Sequence, residues 1–486
     1  MRVFLRSILV LLFFGSIGCV AQDTASGAQE LARVSRELQQ TRSELSESRQ
    51  QIEALRRDLD SLRNQVQGNQ PPENKSAALA EPSVATADQD RSFLAAKVAE
   101  LHQDKVESVS KYPVKVSGLI LFNAYGNAGA LDIQDLPNLA FPRSPGFPNG
   151  SVGATLRQTV LGIEATGPKV FGARTSGNVN LDFAGGSPTT SYGIVSGLVR
   201  LRTAEINLDW EKTSIRMGQE TPFFSPLSPT SYATVLEPAM AWSGNLWVWT
   251  PQIEVEHRHP LKSDSFLVLQ GGVLDPLTEE TPPFQGRIPT AGEATRVPAL
   301  AGRIAIDHST AANHPFTIGF AGYRARQQYP GFDQIDSWTV NTDIKVQLEK
   351  RVEVSGEWYD GQAVGGLGGG IWTSVVYPES TEPHTAILPL RSTGGWVQLK
   401  VKPAAHFEIN GAFGQDENFG NDLRSFPYTD SGFPAFKKNR TDLVNLIYTP
   451  NSFLLFALEF RHLFTQPSLG ESASGNHLNL AAGVRF

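Results

Sequence analysis

The last nine residues of the chain, Leu478 to Phe486, read LNLAAGVRF. Leu478, Leu480, Ala482, Val484 and the terminal Phe486 alternate with Asn479, Ala481, Gly483 and Arg485, a period of two that belongs to a strand with one apolar and one mixed face. An alternating strand that closes on an aromatic carboxy terminus, in a chain that opens with a secretion signal, is written as the last strand of a transmembrane β-barrel. A soluble sandwich can also end on a strand, so the rest of the chain has to carry the reading.

At the amino terminus, Arg2 and Arg6 precede an apolar stretch from Ile8 to Phe14, followed by small residues and then Cys19, Val20, Ala21 and Gln22. This is the layout of a signal peptide over residues 1–21, too short in its apolar core to span a bilayer. Cleavage after Ala21 would discard Cys19 and leave a mature chain without cysteine, hence without disulfides or thiolate chemistry. A weak lipoprotein box, with Ser16 three residues before Cys19, is the competing outcome.

Of the 486 residues, 40% are hydrophobic, and the net charge is -7 with a pI near 5.8. That charge offers no basic footprint for nucleic acid. After the signal no run of 18 or more apolar residues occurs, so a helical membrane protein is excluded while a barrel, whose strands alternate, is not.

Residues 22–67 read as a parallel coiled coil. Leu31, Leu38, Leu45, Ile52, Leu59 and Val66 fall at heptad position a, and Val34, Leu55 and Leu62 fall at d with Thr41 and Ser48. Glu37, Glu44, Gln51 and Asp58 at g meet Arg42, Arg49, Arg56 and Arg63 at e of a parallel neighbour, whereas an antiparallel pair would set arginines against arginines. The alternative is a single solvated helix laced with charge. Dimer and trimer are not separated by these core choices. At about 1.5 Å per residue the rod would be roughly 54 Å long. Residues 68–92, rich in Pro, Ala, Ser and charge, form a flexible linker. Residues 93–110 form a short helix, either a second coil segment or a piece packed at the barrel mouth.

From 114 to 486 the pattern predicts an all-β transmembrane barrel of about 16 antiparallel strands, from 114–126 to 476–486. Connections alternate between short, as at 211–212, 349–350, 403–404 and 450–451, and long, as at 127–153, 221–245, 361–391 and 415–439. Such sorting is the asymmetry of an outer-membrane barrel. In the tenth strand Trp338, Val340, Ile344, Val346 and Leu348 share the lipid face, and Ser337, Thr339, Asn341, Asp343, Lys345 and Gln347 share the inner one. The sixth strand, predicted over 246–258, places Trp247, Trp249, Ile253 and Val255 outward. In the fourth, Arg200 and Arg202 share parity with Ala204, Ile206 and Leu208, which calls for either a bulge or arginines at head-group level.

With its coil, its sixteen strands and the ending LNLAAGVRF, the chain resembles the trimeric porins of Gram-negative outer membranes, and is most similar in layout to the DcaP-like and phosphate-selective porin O/P group. The resemblance implies a water-filled channel for passive diffusion of small polar or charged solutes, a homotrimer joined by barrel wall and coil, outer-membrane lipid and lipopolysaccharide around it, and the coil in the periplasm. It also implies that the third long loop sets the constriction. Here that loop is 221–245, TPFFSPLSPTSYATVLEPAMAWSGN, with Glu220 at its root, Glu237 within it, and Phe223, Phe224, Tyr232 and Trp242 able to anchor it. A loop merely covering the rim is the alternative.

The expected lumen charges are the bases Arg174, Arg216, Arg258, Arg303, Lys345 and Arg461. Inward acids Asp182, Glu205, Asp209, Glu254, Glu256, Asp343, Glu353 and Glu357 roughly match them, so the preferred ion is not assigned; the anionic substrates of the family are what the resemblance implies. Acids on the loop facing arginines on the wall would set up a transverse field. No cofactor, metal site or catalytic group is expected. His257 and His259 sit near a predicted turn without a third ligand, His462 has no serine paired with it, and GGLGGG at 365–370 reads as a mobile loop. The other functional class is structural: a barrel that tethers the envelope to peptidoglycan through its coil.

Overall fold

The computed structural model describes residues 112–486, except 147, 187–188, 191–192, 195–196, 262–263, 280–287 and 309–313. The signal, coiled coil, linker and 93–110 helix expected above lie outside the described residues.

Alternation governs every strand, because a wall with lipid on one side and protein or water on the other needs a different side chain at each step. In chain order the wall consists of β1 (Val114–Ala128), β2 in two pieces (Gly150–Thr155 and Val160–Thr166), β3 (Arg174–Asp182), β4 (Arg200–Asp209), β5 (Thr213–Glu220), β6 (Thr250–Pro260), β7 (Phe266–Leu274) and β8 (Ala299–Asp307). It continues through β9 (Phe316–Gln327), β10 (Ile335–Glu349), β11 (Val352–Gln362), β12 (Arg391–Ala404), β13 (Phe407–Asn418), β14 (Phe436–Tyr448), β15 (Leu454–Pro467) and β16 (Ala473–Arg485). Each pairs antiparallel with its sequence neighbours, and β16 pairs with β1, closing a sixteen-stranded barrel.

Trp247 and Trp249 apart, the expected outer face is the observed one. Ile120, Ile163, Ile206, Ile253, Ile304, Phe320, Ile344, Val397, Val444, Leu458 and Leu480 are exposed large hydrophobics spaced around the wall. On β10, Ser337, Thr339, Asn341 and Asp343 are buried on the inner face while Ile344 and Leu348 are exposed.

The β1/β16 seam runs from Leu119↔Arg485 to Ala128↔Asn476, and a glycine lets the chain end dock beside it. Gly118 N donates to Phe486 O at 2.9 Å and Phe486 N donates to Gly118 O at 3.1 Å. A β-carbon at 118 would stand 2.7 Å from the Phe486 ring and 2.8 Å from Val160 O. Gly118→Leu should therefore reduce the heat-modifiable, folded fraction after refolding into lipid vesicles; an unchanged fraction would show that the β1/β16 seam tolerates separation.

Two sequence expectations are settled by register. Between β3 and β4 the pairing steps from Asn180↔Thr203 to Leu181↔Leu201, so Arg202 is an extra residue in β4. That bulge turns both Arg200 and Arg202 inward, as the first of the two alternatives required. Trp247, expected on the lipid face of the sixth strand, is instead buried, with its backbone N–H donating to Leu367 O at 3.0 Å. The cause is that β6 begins only at Thr250. Trp249 likewise lies before the strand, under the Arg200 and Arg202 guanidinium groups at 4.8 and 4.5 Å from its ring centre.

Candidate channel lumen

The segment 221–249, between β5 and β6, lies against inward-facing side chains of strands nearly all the way round the wall. Glu357 on β11 accepts from Ser225 Oγ at 2.7 Å and from Leu227 N at 2.7 Å. Gln398 on β12 accepts from Thr230 N at 2.7 Å. Asn445 on β14 donates to Thr230 O at 2.8 Å, and Glu459 on β15 accepts from Ser231 Oγ at 2.6 Å. Asn123 on β1 donates to Tyr232 O at 2.9 Å. In the break of β2, Gln158 donates to Ala233 O at 2.8 Å and accepts from Val235 N at 2.7 Å. Arg200 donates to Leu236 O at 3.1 Å, and Arg202 to Val235 O. Backbone groups that no sheet ladder satisfies thus find polar partners on the wall, as buried backbone must.

Apolar packing fixes the same segment. Phe223 and Phe224 join Ala299, Ala321, Tyr323, Tyr359 and Leu246 in one buried cluster, with Phe224 and Tyr323 ring centres 5.3 Å apart. Met240 and Ala239 pack with Trp396, Ala412 and Leu443. Tyr232 and Val235 lean on Leu121, Ile447 and Leu455, and the Arg485 guanidinium lies over the Tyr232 ring at 5.6 Å. The return limb comes closest to the wall at Gly244, whose φ is +95° and whose missing β-carbon would lie 2.3 Å from Gly395 O. Only glycine accepts both conditions.

The loop 363–390, between β11 and β12, packs onto this segment. Trp372 meets Trp242 at 5.6 Å between ring centres, and both have positive φ, as do Met240 and Ile371. Non-glycine residues hold that conformation only where surrounding contacts enforce it. The 365–370 glycine run, expected to be mobile, is packed instead: Gly365, Gly366 and Leu367 form a buried 3₁₀ turn. A β-carbon on Gly366 would stand 2.1 Å from Leu277 O, so the glycines permit backbone-on-backbone contact.

The coiled-coil core residues lie outside the described residues; the expected loop and lumen residues each have a definite place. Glu220 is the last residue of β5, and its carboxylate accepts from Thr221 N at 2.8 Å. Glu237 accepts from Asn138 Nδ2 at 2.9 Å; burial pushes its carboxyl above the ordinary range, against that hydrogen bond and the nearby Arg200 and Arg157. Arg174 is exposed on β3, across from Asp209. Asp182 is fully buried and takes Arg200 at 2.8 and 3.0 Å.

Arg303 and Arg461 differ from the expected open wall of bases. Arg303 is buried and makes two bonds to Asp343, at 2.8 and 2.6 Å, with a third to Gln270 at 2.7 Å. Arg461 and Glu459 are each 2% exposed and 2.6 Å apart, under Ser231. Both charges are met by wall carboxylates, and Arg461 lies against the segment at Ser231. The carboxylates that face the segment belong to the wall, Glu357 and Glu459, and they serve as its hydrogen-bond acceptors.

Two ladders of opposed charges run along the wall away from these buried pairs. On β10–β13, Lys345, Lys400 and Lys402 interleave with Glu353 and Glu408 at 3.4–3.9 Å. On β5, β6 and β8, Arg216 and Arg258 interleave with Glu254, Glu256 and Asp307, with Arg216 3.4 Å from Glu254 and Arg258 3.7 Å from Glu256. One ladder has a base in excess and the other an acid. The bases reach further into water: Lys345 and Lys402 side chains are 51% and 55% exposed, while Glu353 and Glu254 are 15% and 4% exposed.

Sequence reasoning missed the inward apolar residues that seat the segment, above all Trp396, Leu443, Ile447 and Leu455. A signal was present: β12 and β14 have large apolar residues on both faces, which a strand between lipid and water does not need. The docking amides Asn123, Gln158, Gln398 and Asn445 carried no such mark.

A closed sixteen-stranded antiparallel barrel with its longest inner segment between β5 and β6 has the porin fold. Among solved structures it is similar to the outer membrane channel DcaP of Acinetobacter baumannii, with a TM-score of 0.56 and 18% identity over 78% of this chain and 99% of that one. An anion-selective porin from Comamonas acidovorans matches with a TM-score of 0.48 and 10% identity over 77% of this chain and 100% of that one. OprB of Pseudomonas putida matches at 0.44 and 9%, over 77% of this chain and 94% of that one. At these identities the likeness is one of fold. No protein-family model matches the chain, and no curated protein matches it.

Proposed function

We propose that the protein is an outer-membrane channel for passive diffusion of small polar or charged solutes, narrowed by the segment 221–249. The observation that carries this reading is the set of hydrogen bonds from that segment to β1, β2, β4, β11, β12, β14 and β15. A wall segment so bound inside a barrel takes up bore and leaves the remainder to water. In this reading Glu220, Phe223, Phe224, Tyr232, Glu237 and Trp242 hold the constriction, and the two charge ladders line the path below it and set a transverse field between them. The heptads of 31–66, with favourable g-to-e meetings in parallel, support a periplasmic coil that joins copies of the chain; that the copies number three is what the resemblance to trimeric porins implies.

Single-channel recording in a planar bilayer, with the reversal potential taken under a salt gradient, tests the reading. Stepwise openings are expected; a silent bilayer from heat-modifiable protein would refute it. Replacing Lys345 and Lys402 together by glutamate should move the reversal potential toward cation preference without closing the channel, because both tips are half-solvated and unscreened by the segment. A reversal potential equal to that of the wild type would mean that this ladder does not border the path.

A further inference from the structure

The outer wall has a break in its apolar surface. Gly271, Gly302 and Gly322 stand opposite one another on β7, β8 and β9, since register pairs Gly271 with Gly302 and Gly302 with Gly322. They share the face of Leu269, Leu300, Ile304 and Phe320, all exposed, so three adjacent strands lack a side chain toward lipid at the same level. At about 4.8 Å between strands the trench is roughly 14 Å long. Packing within this chain does not require these glycines. A β-carbon at Gly302, Gly322 or Gly271 would meet nothing nearer than 3.6, 3.8 or 4.0 Å, in contrast to Gly118 and Gly244. The open volume there, about 630 Å³, is walled by Leu300, Trp338 and Val340.

The rim of this trench on the long-loop side is charged. Arg324 lines the groove and Arg326 follows on the same face of β9; their side chains are 67% and 54% exposed. Both lean on one carboxylate, Asp336, with Arg324 Nη2 at 3.3 Å and Arg326 Nε at 3.9 Å. Two guanidinium groups sharing one acid leave a net positive charge above an apolar slot. Arginine forks fit phosphate oxygens in pairs, and an acyl chain fits the slot.

We infer that the β7–β10 face, through Arg324, Arg326 and the trench over Gly302 and Gly322, binds a phosphorylated, multiply acylated lipid of the outer leaflet, phosphate on the arginines and one acyl chain in the trench. The site lies on the outer wall and is independent of conduction. The occupant is a lipid because the charge and the slot are contiguous; a soluble phosphate ester would use the charge and leave the slot empty.

Native mass spectrometry of the full-length protein, refolded in detergent and titrated with diphosphorylated lipid A, with its dephosphorylated form and with inorganic phosphate, tests the inference. Diphosphorylated lipid A should be retained by the wild type. The variant Arg324→Gln/Arg326→Gln should hold it about tenfold less tightly, the loss expected on removing charge-assisted hydrogen bonds. Gly322→Leu, which fills the trench and leaves the arginines in place, should also weaken it. The dephosphorylated lipid should bind poorly to the wild type, and millimolar phosphate should not displace the bound lipid. Unaltered retention by both variants, equal binding of the dephosphorylated lipid, or displacement by phosphate alone would each overturn it. Conductance of the same variants should stay that of the wild type, which separates loss of the lipid site from loss of the fold.

Discussion

Single-channel conductance should rise severalfold when Glu357→Ala is combined with Gly244→Val. Glu357 receives Ser225 Oγ and Leu227 N at 2.7 Å each, and intramolecular hydrogen bonds contribute about 0.5–1.5 kcal/mol apiece, with a larger cost when a buried donor is left unpaired. Their loss leaves two donors of the segment without a partner at its first turn along the wall. At the return limb, a side chain on residue 244 meets Gly395 O and Gly395 N at 2.3 and 2.4 Å, and Gln415 O at 2.5 Å. All three are backbone atoms of β12 and β13, which cannot yield without breaking the barrel, so the segment has to move instead. With both attachments weakened, the bore opens and current noise increases as the segment samples positions away from the wall. Conductance and noise equal to those of the wild type would show that 221–249 is not the narrowest part of the path.

Arg461→Met should lower stability by about 3–5 kcal/mol, the cost of leaving one member of a buried ion pair uncompensated. Arg461 donates through Nε to Glu459 Oε1 at 2.6 Å and through Nη2 to Ser231 Oγ at 3.2 Å. Glu459 keeps Ser231 and Asn445 as donors, yet its charge is then enclosed by the segment and the wall without a counter-ion. Pairing the change with Glu459→Gln removes the charge and should restore most of the loss. Equilibrium unfolding of the refolded barrel in lipid, read by the gel shift of heated against unheated samples, measures both. A single variant as stable as the wild type would mean that water reaches Glu459 and screens it.

The strand boundaries read from the sequence and those of the structure differ by a few residues because lipid imposes the same rule on every strand. An outward position must be apolar whatever its neighbours do, so Ile304 or Val444 can be placed from parity alone. Where the rule has a local exception, parity left alternatives. Arg200 and Arg202 could be a bulge or a head-group pair, and only their register against Asp182 decides for the bulge. The inner face was harder to read, since it serves two surroundings at once. Lys345 and Arg216 reach water, while Trp396, Leu443 and Arg461 on the same side of the sheet lie under the segment. Both kinds alternate with outward hydrophobics in the same way, and a period of two does not say what covers the inner side.

The same limit applied to the loops. Thr221–Asn245 was long enough to expect a role, and Phe223, Phe224 and Tyr232 were recognisable as anchors because aromatic rings seek buried contacts. Their partners were not recognisable: Ala321 and Tyr323 for Phe224, or Arg485 for Tyr232, come from strands far away in sequence. The 365–370 glycines were misread as mobile, since a glycine that frees a backbone and one that admits another backbone are the same letter. Trp247 was assigned to lipid for a similar reason, as an aromatic at the expected edge of a strand looks alike whether it meets a bilayer or a loop.

By itself the sequence determined the number and direction of the strands and, Trp247 and Trp249 apart, which of their residues face outward, because each follows from local periodicity read against a uniform solvent. Only the tertiary structure decided what lies inside the ring and where its outer face is broken: that 221–249 runs along the wall, that Glu357 and Glu459 hold it, that Arg303 and Arg461 are paired with wall carboxylates, and that three outward glycines line up across β7 to β9. Those facts depend on registers and contacts between residues tens to hundreds of positions apart, which closure of the barrel sets and no local pattern records.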